Sequence, residues 1–122
     1  MAFLDWWVPD VALEPGETER WSALANQKHG WRALGGILSA TERRLVFRPN
    51  RVDRRLGGTV WTVPLTEVAS IGRRAPTFHP FDGGLRSRLQ IMTRDGAEHL
   101  FVVNKLAAQI AALTELSARV AR

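Results

Sequence analysis

Twelve consecutive residues, Gly36-Ile37-Leu38-Ser39-Ala40-Thr41-Glu42-Arg43-Arg44-Leu45-Val46-Phe47, constrain the fold more than any other stretch of the chain. They read as a strand, a tight polar turn and a second strand. Ile37, Leu38, Leu45, Val46 and Phe47 favour a pleated, half-buried surface. Thr41 and Glu42 stand where the chain must reverse. On the returning strand Leu45 and Phe47 face one side, and Arg44, Val46 and Arg48 the other.

The rest of the chain continues in short strands. Pro15-Gly16 marks a turn, and Glu17 to Gln27 reads as the first strand. Trp31 to Ala40 is the second, with a bend or bulge expected at Gly35-Gly36. Arg43 to Arg48 is the third, Thr59 to Val63 the fourth and Ala69 to Arg73 the fifth. Leu85 to Thr93 alternates Leu85, Ser87, Leu89 and Ile91 against Arg86, Arg88 and Gln90. Asp95-Gly96 is a two-residue hairpin signal, and Ala97 to Val103 returns as the seventh strand. Leu106, Ile110, Leu113 and Val120 then mark an amphipathic helix from Asn104 to Ala121. Asn104 is its expected N-cap. Seven short strands and one closing helix imply antiparallel sheets with the helix over an open end.

Several pieces of this pattern resemble the GRAM family, a branch of the pleckstrin-homology-like (PH-like) superfold. Leu13-Glu14-Pro15-Gly16-Glu17 looks like the family's opening Pro-Gly-Glu. Gly36 to Phe47 looks like its Gly-x-Leu-x-x-Thr-x-x-x-Leu-x-Phe core. Val63-Pro64-Leu65 with Val68 and Ile71 looks like its Ile-Pro-Leu-x-x-Ile segment, and Asp95-Gly96 with Phe101-Val102-Val103 like its last hairpin. Glu42 departs from the pattern, where the family often has Asn. The resemblance covers Leu13 to Val120 and suggests a stand-alone, bacterial-type member. It implies a PH-like β-sandwich or partly open barrel of about seven antiparallel strands capped by the helix. It also implies a binding module for lipid headgroups or protein segments. The expected organisation is an apolar and acidic segment over residues 1–12, then one domain over 13–122.

Composition narrows the chemistry. The chain has 122 residues, 45% apolar and 24% charged, which suits one globular domain. It has no Cys, so disulfides, thiolate zinc sites and thiol nucleophiles are excluded. His29, His79 and His99 form no close ligand pair, so no metal site and no cofactor is expected. No Gly-x-Ser-x-Gly or P-loop motif occurs, and Asp53 and Asp82 are isolated, so no enzyme is expected. No apolar run reaches the ~20 residues that span a bilayer. The first eight residues hold Asp5 and no Lys or Arg, unlike a secretory signal. The expected compartment is the cytoplasm, with peripheral membrane contact as an option.

Charge is unevenly placed. Residues 1–19 carry five acids and no Lys or Arg, whereas eleven Arg between Arg43 and Arg94 face three acids. Such a field favours anionic partners, and Arg holds phosphate bidentately. The candidates for an anion- or lipid-binding rim are Lys28, Arg32, Arg48, Arg51, Arg54, Arg55, Arg73 and Arg74. They either converge on a phosphorylated headgroup or anionic leaflet, or solvate a barrel surface in weak pairs with nearby acids. Lys28 and Arg32 are only two cations at the first hairpin, fewer than a high-affinity phosphoinositide site uses. Trp21 and Trp61 read as core.

Trp6, Trp7, Phe78 and Phe81 are the candidate partner contacts. The first two lie in an apolar N-terminus suited to docking, on its own body or on a second subunit. The expected function is a non-enzymatic module for a protein segment or an anionic membrane surface. The alternative is a homo-oligomeric assembly domain built on that N-terminus. Nucleic acid ranks below both, because the aromatics fall at core positions rather than between the Arg residues.

Overall fold

The computed structural model describes residues 13–29, 32–50, 60–76 and 87–120. The expectations on Trp6, Trp7, Trp31, Arg51, Arg54, Arg55, Phe78 and Phe81 fall outside these residues. The strands are β1 (Glu19–His29), β2 (Arg32–Thr41), β3 (Arg44–Pro49), β4 (Trp61–Pro64), β5 (Val68–Arg74), β6 (Arg88–Thr93) and β7 (Glu98–Val103). A helix, α1 (Leu106–Val120), closes the chain.

All seven strands join one antiparallel sheet in the order β4-β3-β2-β1-β7-β6-β5, in keeping with the partly open barrel expected from the sequence. β4 and β5 are therefore opposite edges. Yet a single 3-10 turn, Leu65–Glu67, links them. A three-residue link can join opposite edges only if the sheet curls over until they meet. The turn is tied to both halves: Leu65 N–H donates to Arg43 O at 2.8 Å, and Arg94 N–H donates to Glu67 O at 2.8 Å.

The concave side holds the core. Leu34, Leu38, Leu45, Phe47, Val63, Leu89, Ile91, Phe101 and Val103 pack there at strand spacing of two. Phe47 on β3 and Phe101 on β7 meet with ring centroids 5.6 Å apart, and Trp61 lies 5.5 Å from Phe101. These contacts join the two halves of the curled sheet. Leu113 closes the open end, with Leu106, Ile110 and Leu116 beside it.

Local chemistry sets the turns. Glu14-Pro15-Gly16-Glu17 is a turn closed by Glu17 N–H to Glu14 O at 2.9 Å, with Gly16 at φ 80°. Pro then Gly is the order such a turn requires. The hairpin at Asp95-Gly96 is longer than expected. Thr93 N–H donates to Ala97 O and Gly96 N–H to Thr93 O, both at 3.0 Å, so three residues form the loop. Gly96 takes φ 87°, as the third position of that loop demands.

Two further expectations are corrected. Pairing runs unbroken through Gly35 and Gly36, and the shifts fall at Glu19/Trp21 and Val68/Ser70. Gly36 instead serves a close approach: a Cβ there would lie 2.1 Å from Arg48 O. At the helix start it is Lys105, at φ 54°, whose carbonyl accepts the first bond, from Gln109 N–H at 3.1 Å. The helix thus begins at Leu106, and Lys105 stands in the place of the cap expected at Asn104.

Candidate functional site

The described residues form a groove of about 700 Å³ between one face of α1 and the start of the sheet. Ala112, Glu115, Leu116 and Arg119 line its helix side, at the i, i+3, i+4, i+7 spacing of one face. Arg20 and Trp21 come from β1, and Glu42 from the turn between β2 and β3.

Trp21 and Leu116 form the apolar floor and are at the same time packed on the core. The Trp21 indole Nε1–H donates to Gln109 Oε1 at 2.8 Å, which fixes the ring against the helix. The expectation that Trp21 is a core residue is therefore half met: its ring is partly buried and its edge is a wall of the groove.

Two opposite pairs of charges rim the floor. Arg119 Nη2 lies 2.7 Å from Glu115 Oε1 along the helix, and Arg20 Nε lies 3.7 Å from Glu42 Oε2. Glu42 is also held by Thr18 N–H, which donates to both carboxylate oxygens at 3.2 and 3.0 Å. That bond, and to a smaller extent the nearby arginines, holds the Glu42 carboxyl below its ordinary range. Two guanidiniums and two carboxylates thus rim the groove. Such a surface suits a polar segment with an apolar anchor and works against a phosphate, which the two carboxylates would repel.

Beside the groove lies a buried clasp. Glu17 accepts two bonds from Arg44, Nε to Oε2 at 2.9 Å and Nη2 to Oε1 at 3.0 Å. Thr41 Oγ1 donates to Glu17 Oε2 at 2.7 Å and accepts from Arg43 and Arg44 N–H, both at 3.1 Å. Glu14 N–H reaches Glu17 Oε1 at 3.0 Å. Arg44, with Thr41 and the Glu14 amide, outweighs the cost of burial and lowers the Glu17 pKa to about 2. Arg43 reaches Glu14 at 3.2 Å. These two arginines are engaged in holding the fold.

The described members of the expected rim are spread over the sheet. Lys28 and Arg32 share the β1–β2 hairpin end, where Lys28 pairs with Ala33 and His29 with Arg32. Arg48 is opposite Ile37, five residues along β2 from Arg32. Arg73 and Arg74 stand on the edge strand β5, and Arg74 Nη1 lies 3.4 Å from Glu98 Oε2. Arg88, placed by the strand alternation among the outer cations, is 1% exposed.

Sequence reasoning missed the groove. The helix side left a trace, since Glu115 and Arg119 are an i, i+4 pair flanking Leu116. The sheet side left none, because Arg20 and Glu42 meet only through the β1–β2 pairing.

Among the described residues no group of three or more His, Asp or Glu could hold a metal ion, and no helix is long and apolar enough to cross a membrane. No family model and no curated protein matches the chain. Solved structures do match. The C-terminal domain of an unknown protein from Leishmania infantum superposes with a TM-score of 0.65 at 16% identity, over 85% of this chain and 87% of that one. The Vps36 N-terminal PH domain superposes with a TM-score of 0.56 at 15% identity, over 86% of this chain and 85% of that one. The chain therefore has a PH-like fold.

Proposed function

We propose that this domain is a non-enzymatic module that binds a protein segment in the groove between α1 and the start of β1, and that it belongs to the GRAM branch of the PH-like fold. The observation that carries the binding role is the groove itself: an apolar floor of Trp21, Ala112 and Leu116 between the Arg20–Glu42 and Glu115–Arg119 pairs. Its volume lies in the range of ordinary ligand sites. An apolar side chain of the bound segment fills the floor, and its flanking polar groups meet the rim charges. The Glu17–Thr41–Arg44 clasp supports the GRAM assignment, because it joins the two sequence pieces that resemble that family's opening and core.

Peptides selected from a random 12-residue library against the immobilised full chain provide the test. Amide chemical shifts of the labelled domain should move at Trp21, Ala112 and Leu116 when such a peptide is added. Leu116→Glu should weaken that binding at least tenfold, and Arg54→Glu/Arg55→Glu should leave it unchanged. Co-sedimentation with vesicles of phosphatidylcholine and phosphatidylserine is the counter-test. Binding to those vesicles that is lost in Arg54→Glu/Arg55→Glu, without any groove-dependent peptide, would replace this reading with an anionic membrane surface held by the Arg-rich loops.

A further inference from the structure

Neighbouring residues of a regular strand point to opposite faces, yet Arg20 and Trp21 both line the groove. The register explains it. Glu19 pairs with Thr41 and Trp21 with Ala40, so β1 holds one residue more than β2 at this point, and Arg20 is the extra one. Such a bulge re-aims a side chain. Here it turns Arg20 to the groove side, towards Glu42.

The two charge pairs of the rim are not equivalent. Glu115 and Arg119 satisfy each other at 2.7 Å, and both side chains stand well out in solvent. Across the groove, Glu42 is 30% exposed, and Thr18 N–H donates to both of its oxygens. Arg20 Nε stays 3.7 Å away, beyond hydrogen-bonding distance, and its side chain is 56% exposed. The carboxylate is therefore fixed in place, while its cation is loose. A carboxylate has about four acceptor positions, more than the Thr18 amide fills.

We infer that the segment bound in the groove carries a Lys or Arg beside its apolar anchor, and that this cation displaces Arg20 and takes Glu42 as its partner. The inference rests on the groove being a segment-binding site and names the charge that this site selects. Displacing Arg20 costs little, because an exposed pair at that separation contributes little and the freed guanidinium returns to water. The incoming cation gains a charge-assisted hydrogen bond to an acceptor that is already positioned. An acidic residue of the segment finds no equivalent. Arg119 is engaged by Glu115 at 2.7 Å, and Arg20 has no second group on this rim to hold it in place among the printed contacts of the groove.

Charge at longer range limits the same segment. The chain as a whole carries a net charge of +5, which repels a basic tract. A single cation beside the anchor meets Glu42 at close quarters and escapes most of that repulsion through screening.

Peptides selected from the random library on the full natural chain should carry Lys or Arg beside an apolar side chain, or one place removed from it. Glu42→Gln keeps an acceptor for Thr18 N–H and should weaken such a peptide at least about tenfold in calorimetric titration. Changing the peptide's own Lys or Arg to Gln should cost the natural chain the same, and cost the Glu42→Gln chain nothing further. Arg20→Gln should act in the opposite direction and tighten binding about threefold, because it removes the competing cation. Arg20 is exposed, so this variant decides even where Glu42→Gln disturbs the turn between β2 and β3. A purely structural role for the two residues predicts weaker binding in both variants. Peptides that shift Trp21, Ala112 and Leu116 without a basic residue overturn the inference and leave the groove standing, as does weaker binding to Arg20→Gln. Peptides that shift none of those three residues overturn the groove and the inference together.

Discussion

Arg44 grips Glu17 with two parallel hydrogen bonds, of 2.9 and 3.0 Å, although 27 residues separate them. The Glu17 side chain is wholly buried and Arg44 largely so. The clasp fastens the Pro15-Gly16 turn, which leads into β1, onto the hairpin that leads into β3. Glu42, one residue past Thr41 of the clasp, is thereby set at the mouth of the groove.

The clasp sets an acid limit on stability. Glu17 has a pKa of about 2 in the folded chain against an ordinary 4.5. A carboxyl with a depressed folded pKa contributes stability fully above the unfolded value and loses it as pH falls toward the folded one. The contribution is on the order of 3 kcal/mol at neutral pH and fades between pH 4.5 and about 2. Glu17→Gln should lower the unfolding free energy by about 3 kcal/mol at pH 7, since it strands a buried guanidinium. It should also flatten the profile between pH 4.5 and 2, read from urea midpoints. An unaltered acid profile in the variant would refute this assignment.

Gly36 is fixed by crowding rather than by backbone angle. A Cβ there would sit 2.1 Å from Arg48 O and 2.8 Å from Pro49 Cα. Both neighbours are backbone and cannot rotate aside. Gly36→Ala should therefore cost at least about 3 kcal/mol and loosen β2 from β3, with faster amide exchange at Leu38 and Phe47. Gly72, with nothing within 4 Å of an added Cβ, is the control. Gly72→Ala should leave that exchange unchanged.

The strand positions along the chain were largely readable because each strand carries its own signal. Leu89 and Ile91 alternate with polar residues, and Asp95-Gly96 supplies the positive φ that a hairpin turn demands. Alternation says less where both faces of a strand are buried. Arg88 falls on the polar face of its strand and Val46 on the face opposite Leu45 and Phe47, yet both are buried, because period-two spacing tells the two faces apart but not which is dry. The groove was illegible for another reason. Arg20, Glu42 and Arg119 come from three elements, and only the curl of the sheet and the placing of α1 bring them together.

Trp21 tests how the helix is seated. Its indole N–H to Gln109 is a polar tie between β1 and α1. Trp21→Phe keeps most of the apolar contact and removes the donor. It should cost about 1 kcal/mol and increase amide exchange along the first turns of α1. Gln109→Leu should cost a similar amount, and the double variant little more than either alone. Full additivity in that cycle would show that the two side chains act separately.

His99 governs a second window of pH, above that of Glu17. Its ring lies 4.8 Å from the Trp61 ring, with Nε2 3.4 Å from Thr93 Oγ1. Burial pushes its pKa below the ordinary 6.5, and the nearby Asp95 charge offsets only part of that. The folded chain therefore takes up this proton less readily than the unfolded chain does. Stability should be complete above pH 6.5 and fall as the pH drops below it. His99→Gln should remove that slope and leave the steeper Glu17-dependent loss in place at lower pH. Urea midpoints at pH 7.5 and 5.5 decide it: they should differ in the natural chain and coincide in the variant, and a difference that persists would place the titrating group elsewhere.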